Sequence, residues 1–134
     1  MSVVVGYVST PEGEAALAAA VAESRSRAVP LVVILSERGH RFGTEPTELQ
    51  SQADEVRRRL DEEGLAYDVR LTSRGRDVAE DIIAAAAEEH GDLIVIGLRR
   101  RSPVGKLLLG SNAQRILLDA PCPVLAVKPE PTSA

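Results

Sequence analysis

"DLIVIGLRRRSPVGKLLLGS", residues 92–111, decides the fold. Its opening "DLIVIG" is an unbroken apolar run closed by Gly97, the pattern of a strand covered on both faces, as in a parallel sheet. Its last two residues begin "GSNAQRILL", where a small polar residue precedes an apolar repeat of helical spacing. A buried strand therefore delivers a basic loop, and the loop delivers a helix that starts at Ser111 and runs to about Leu118.

Outward from this stretch the same alternation covers the chain. "VVVGYV" (Val3 to Val8) and "LVVIL" (Leu31 to Leu35) read as buried strands. Between them Thr10 stands as N-cap and Pro11 as first helical residue, ahead of the Ala-rich run from Glu14 to Ala22. A second helix begins near Pro46 and carries Leu49, Ala53, Val56 and Leu60 at helical spacing, with "RRRLDEE" on its wet face. Gly64 stops that helix, and "AYDVRL" alternates like a half-covered edge strand. "RDVAEDIIAAAAEEHG" restarts a helix that Gly91 is expected to end, and "CPVLAVK" supplies the fifth strand. These elements predict an α/β fold: a three-layer open sandwich with a five-stranded parallel sheet of order 3-2-1-4-5 and helices on both faces. One domain is expected over residues 1–128, with residues 129–134 as a disordered tail.

Composition narrows the function. Acidic residues outnumber basic ones by 20 to 16, so the overall field repels a nucleic-acid backbone. The apolar runs are too short to cross a bilayer, and "MSVVVGYVS" enters a strand without a basic leader, so neither membrane nor export is expected and the location is read as cytoplasmic. Cys122, the single cysteine, reads as a small buried hydrophobe. Two histidines, His40 and His90, do not make a metal site with it, and no nucleophile, base and acid fall into a catalytic order. No enzyme is expected.

In a doubly wound sheet, ligands bind beyond the carboxyl ends of the strands that flank the reversal of strand order, here the first and fourth. A P-loop would need G-x-x-x-x-G-K-[ST]; the first glycine falls on Arg100, and Leu107 follows Lys106. The dinucleotide fingerprint fails as well, because only Gly6 and Gly13 lie near the first strand and their spacing is wrong. A looser anion site survives: Gly97 lets the backbone turn and approach a ligand closely, and the helix opened by Gly110 and Ser111 offers free N–H groups. Ordinary helix-start chemistry accounts for Gly110 and Ser111 equally well.

"DLIVIGLRRRSPVGKLLLGSNAQRILLDAPCPVLAVK" resembles the C-terminal half of the universal stress protein family in its Leu-Leu-Leu-Gly-Ser run, its Ala-Pro-Cys-Pro-Val turn and its terminal Lys-Pro. "TPEGEAALAAAVAES" is similar to the family's first helix. The resemblance implies a regulatory protein of the stress response and a homodimer paired through the last strand, Pro123 to Lys128. It also implies, as in some members, an ATP site, with magnesium entering only alongside the nucleotide. The family's loop has the form G-x-x-G, nine residues, then G-[ST]. Gly97, Gly110 and Ser111 match it, whereas the second glycine is Arg100. The family's aspartate at the end of the first strand is Val8, which cannot accept from a ribose hydroxyl. Loss of one charged partner costs about 1.5–3 kcal/mol, a tenfold to hundredfold weakening. The expected site is therefore degenerate, weak or altered, and is built from Ser9, Thr10, Leu35, Gly97, Arg99, Arg100, Gly110 and Ser111. Leu35 would wall the adenine, and the arginines would stand in for the missing glycine at the phosphates. The alternative is a nucleotide-independent dimeric interaction module of the same fold.

Overall fold

A computed structural model of the chain describes residues 1–35, 46–71, 78–98 and 110–129, with residues 46–49 as backbone only. Nine elements follow in order: β1 (Ser2–Tyr7), α1 (Pro11–Arg27), β2 (Leu31–Leu35), α2 (Pro46–Glu63), β3 (Tyr67–Leu71), α3 (Val78–Glu88), β4 (Gly91–Gly97), α4 (Ser111–Asp119) and β5 (Val124–Val127). The five strands form one parallel sheet of order β3-β2-β1-β4-β5, as the alternation of apolar runs and helices predicts.

Period-two alternation divides the core between the two faces of the sheet. Val3, Val5, Tyr7, Leu31, Val33, Leu35, Leu93 and Val95 pack with α1 and α2, where Ala16, Leu17, Ala20, Ala53, Val56 and Leu60 meet them. Val4, Val32, Ile34, Ile94 and Ile96 face α3 and α4, meeting Ala79, Ile82, Ala85, Ala86 and Ile116. Gly6 leaves room on that face, since a β-carbon there would stand 2.7 Å from Ile82 Cδ1. Among the described residues α4 is held chiefly by Ile116, its one buried residue, with Ala113 packed partly buried against the same core, while Leu117 and Leu118 are exposed. Arg115 of α4 pairs with Glu80 of α3 at 3.0 Å.

Helix ends follow their expected chemistry with one correction. Thr10 caps α1 by accepting the Gly13 N–H at 3.1 Å. Gly64 ends α2 at a φ of +72°. α3, however, is turned out of its helix by His90 at a φ of +49°, and Gly91 is already the first residue of β4. Gly91 serves packing instead: a β-carbon there would meet Ala86 at 3.2 Å. β1 also stops one residue short of Val8, and β5 is the four-residue core of the longer run read from sequence. Among the described residues no helix is long and apolar enough to cross a membrane.

Candidate functional site

The strand order reverses between β1 and β4, so their carboxyl ends open the crevice where an open α/β sheet binds ligands. Beyond β1, the Val8–Thr10 turn is tight, because the Thr10 N–H donates to the Val8 carbonyl at 2.9 Å. Ser9 is exposed at its apex. The Thr10 hydroxyl spends an acceptor position on its helix cap and keeps its proton to donate.

Two glycines seat the first turn of α1 directly on the strand ends. A β-carbon at Gly13 would lie 1.8 Å from the Val8 carbonyl oxygen, and one at Gly97 would lie 2.2 Å from the Glu12 carbonyl oxygen. A ligand was the expected partner of Gly97's close backbone approach; the close neighbour observed there is instead the first turn of α1 in the same chain. Leu35, the last residue of β2, lies beside Tyr7 in register and is fully buried in the α1–α2 side of the core.

The N-terminus of α4 reaches this same end of the sheet, since α4 leads into parallel strand β5. Its N-cap is Gly110, which has no side chain to satisfy the first-turn N–H groups, and its first turn carries no acidic residue. A β-carbon at Gly110 would touch none of the described residues within 4 Å, and Ser111 and Asn112 are exposed. The first turn of α1 is the opposite: capped by Thr10, it also contains Glu12 and Glu14, which complement its own dipole. An anion at this end of the sheet thus meets an acid-free helix start at α4 and an acidic one at α1.

Sequence reasoning missed a polar network beside Leu35. The Tyr7 hydroxyl donates to Glu14 Oε1, and Arg59 of α2 grips the same carboxylate, with Nη2 to Oε2 at 2.8 Å and Nη1 to Oε1 at 3.3 Å. Arg59's hydrogen bonds outweigh burial and hold the Glu14 carboxyl below its usual range. Burial, then the bond to Glu14, pushes the Tyr7 phenol up, and the bond to Glu14 raises the Arg59 guanidinium. Seven and forty-five residues separate these partners, so no local spacing marks them.

Of the residues expected at the site, Ser9, Thr10 and Gly97 belong to the β1–α1–β4 junction, and Gly110 and Ser111 to the start of α4. Arg99 and Arg100 lie outside the described residues, as do His40 and the tail beyond Pro129. Cys122 is half-buried against the α3–α4 side of the core, and burial pushes its thiol up. Among the described residues no group of three or more histidine, cysteine or acidic side chains is placed to hold a metal.

Comparison with known proteins agrees with this architecture. The model of the universal stress protein family matches residues 1–128. A universal stress protein of Mycolicibacterium smegmatis is 39% identical over 127 residues, covering 95% of this chain and 97% of that one. The structure of a universal stress protein from Archaeoglobus fulgidus superposes with a TM-score of 0.79 at 32% identity, over 96% of this chain and 98% of that one. A structure of the universal stress protein from the same organism in complex with dAMP gives a TM-score of 0.76 at 28% identity, with coverage of 96% and 98%. The chain belongs to the universal stress protein family.

Proposed function

We propose that this chain is a non-catalytic regulator of the stress response, a cytoplasmic single-domain protein over residues 1–128, that takes an adenine nucleotide weakly or in an altered manner at the carboxyl end of β1 and β4. The observation that carries this reading is the start of α4, an acid-free helix N-terminus whose cap, Gly110, supplies no side-chain hydrogen bond and has none of the described residues within 4 Å of where its β-carbon would stand. Phosphate would lie there with Ser111, and Arg99 and Arg100 would add charge. Ser9 and Thr10 would face the nucleoside, and Leu35 would back the base from beneath. The dAMP complex of the Archaeoglobus relative supports the ligand class. Val8 supports the weakness, since it leaves a sugar hydroxyl without a charged acceptor at the end of β1. Magnesium would enter only with a polyphosphate.

A second reading, a nucleotide-independent interaction module, is favoured by one specific contact. The packing of Gly97 on Glu12 accounts for that glycine without any ligand. Calorimetric titration with ATP and magnesium, and with AMP and cyclic AMP in parallel, separates the two. Micromolar binding of any of them sustains the first reading; no heat and no thermal shift with all three leaves the second.

Either reading includes a homodimer paired through Pro123 to Lys128. Among the described residues β5 has a strand neighbour on one side only, and Leu125 and Ala126 on it are exposed, an arrangement that edge strands resolve by pairing or cover. Sedimentation of wild type and Leu125→Lys tests it: a dimer for the first and a folded monomer for the second are expected.

A further inference from the structure

We infer that Arg59 is a positioning residue of this nucleotide end of the sheet, cancelling the negative charge that Glu14 brings to it from α1; the inference rests on the nucleotide reading above. Arg59 stands on α2, forty-five residues from Glu14. It nevertheless closes on Glu14 with two hydrogen bonds, and Glu14 in turn receives the hydroxyl of Tyr7, the last residue of β1. The Val8–Thr10 turn lies between Tyr7 and Glu14 in the chain, so both of its ends are tied into this network.

The pair has little to offer the fold. Its side chains are 38% and 44% exposed, a range in which ion pairs add little stability. Its location gives it a different use. Glu14 sits in the first turn of α1, whose backbone rests on the ends of β1 and β4 through Gly13 and Gly97. A bare carboxylate there repels a phosphate bound at the same end of the sheet, and the repulsion grows with each charge the ligand carries. Bidentate pairing with a guanidinium removes most of that field while leaving the carboxylate as acceptor for Tyr7.

The test is calorimetric titration of adenosine, AMP and magnesium ATP into wild type, Arg59→Ala, Arg59→Lys and the double variant Arg59→Ala with Glu14→Gln, each with a ligand-free melt. Arg59→Ala is expected to weaken AMP and ATP severalfold, ATP the more and most clearly at low salt, and to leave adenosine unchanged. Arg59→Lys keeps the charge and restores most of the loss, and the double variant restores it by removing the carboxylate charge while glutamine still accepts from Tyr7. The inference is overturned if Arg59→Ala binds like wild type, if adenosine weakens as much as ATP, or if the double variant recovers nothing. Wild type that binds none of the three ligands sinks the nucleotide reading and this inference together, whereas wild type that binds and Arg59→Ala that matches it sinks this inference alone.

Discussion

Gly97 at the end of β4 rests on the backbone of Glu12 in α1, so closely that a β-carbon would lie 2.2 Å from the Glu12 carbonyl oxygen. No rotamer change relieves such a clash, because the β-carbon is fixed by its own backbone and the atom it meets is a main-chain oxygen. Gly97→Ala is therefore expected to destabilise the protein by roughly 2–3 kcal/mol in the absence of any ligand. Urea unfolding measures it, and a variant as stable as wild type would show that α1 can shift freely off β4.

Val8→Asp places a carboxylate at the end of β1, where a sugar hydroxyl would find an acceptor. Adenine nucleotides are expected to bind about tenfold tighter or more. The Val8 carbonyl holds Thr10 and adjoins Gly13 whatever its side chain, so the turn itself should persist. Titration with AMP reads the gain, and unchanged affinity in a folded variant would count against a nucleoside lying at Ser9 and Thr10.

Ala28 ends α1 in the left-handed region at φ 56° and ψ 45°, with its N–H donated back to the last turn. Glycine adopts this conformation without the clash that a β-carbon brings. Ala28→Gly should stabilise the protein by about 1 kcal/mol, a gain that a thermal melt detects.

Acid sensitivity should contain a contribution from Glu14. Its carboxyl is held below its usual value in the folded protein, so the associated stability is present above the unfolded value and is lost as pH falls through the folded one. Glu14→Gln should lie slightly below wild type in stability near neutral pH and converge with it once pH has fallen below the lowered folded-state value of the Glu14 carboxyl. The difference should shrink in high salt, because the pair with Arg59 is half-exposed. Melting curves across this range that keep a constant gap would assign the loss to something other than charge.

The sheet was legible because its signal is coarse: apolar runs of strand length separated by helix-length amphipathic segments leave few topologies once crossovers are right-handed. Thr10 and Gly64 were legible because capping and helix termination are written in adjacent residues. His90 was not. A glycine followed it, glycine tolerates positive φ best, and only the register of β4, which already begins at Gly91, shows that the turn falls one residue earlier. The Tyr7, Glu14 and Arg59 network was invisible for a different reason. Each residue has a sufficient local explanation, in a strand end, a helix first turn and a charged helix face, and only the packing of α2 beside α1 brings them together. For Gly97, the sequence pattern pointed to close approach of a ligand, and no local signal shows that the first turn of α1 packs there.

Among the described residues α4 is anchored chiefly by one buried isoleucine and by Arg115, which reaches Glu80 across to α3. An element with so little apolar attachment opens at a smaller free energy than the strands beneath it, so its amides should exchange with solvent deuterium well ahead of those in β1 and β4. Because the start of this helix is where phosphate would sit, occupancy and docking of α4 draw on a single equilibrium: a bound nucleotide would slow that exchange, and any substitution that loosens Ile116 would weaken the ligand in proportion.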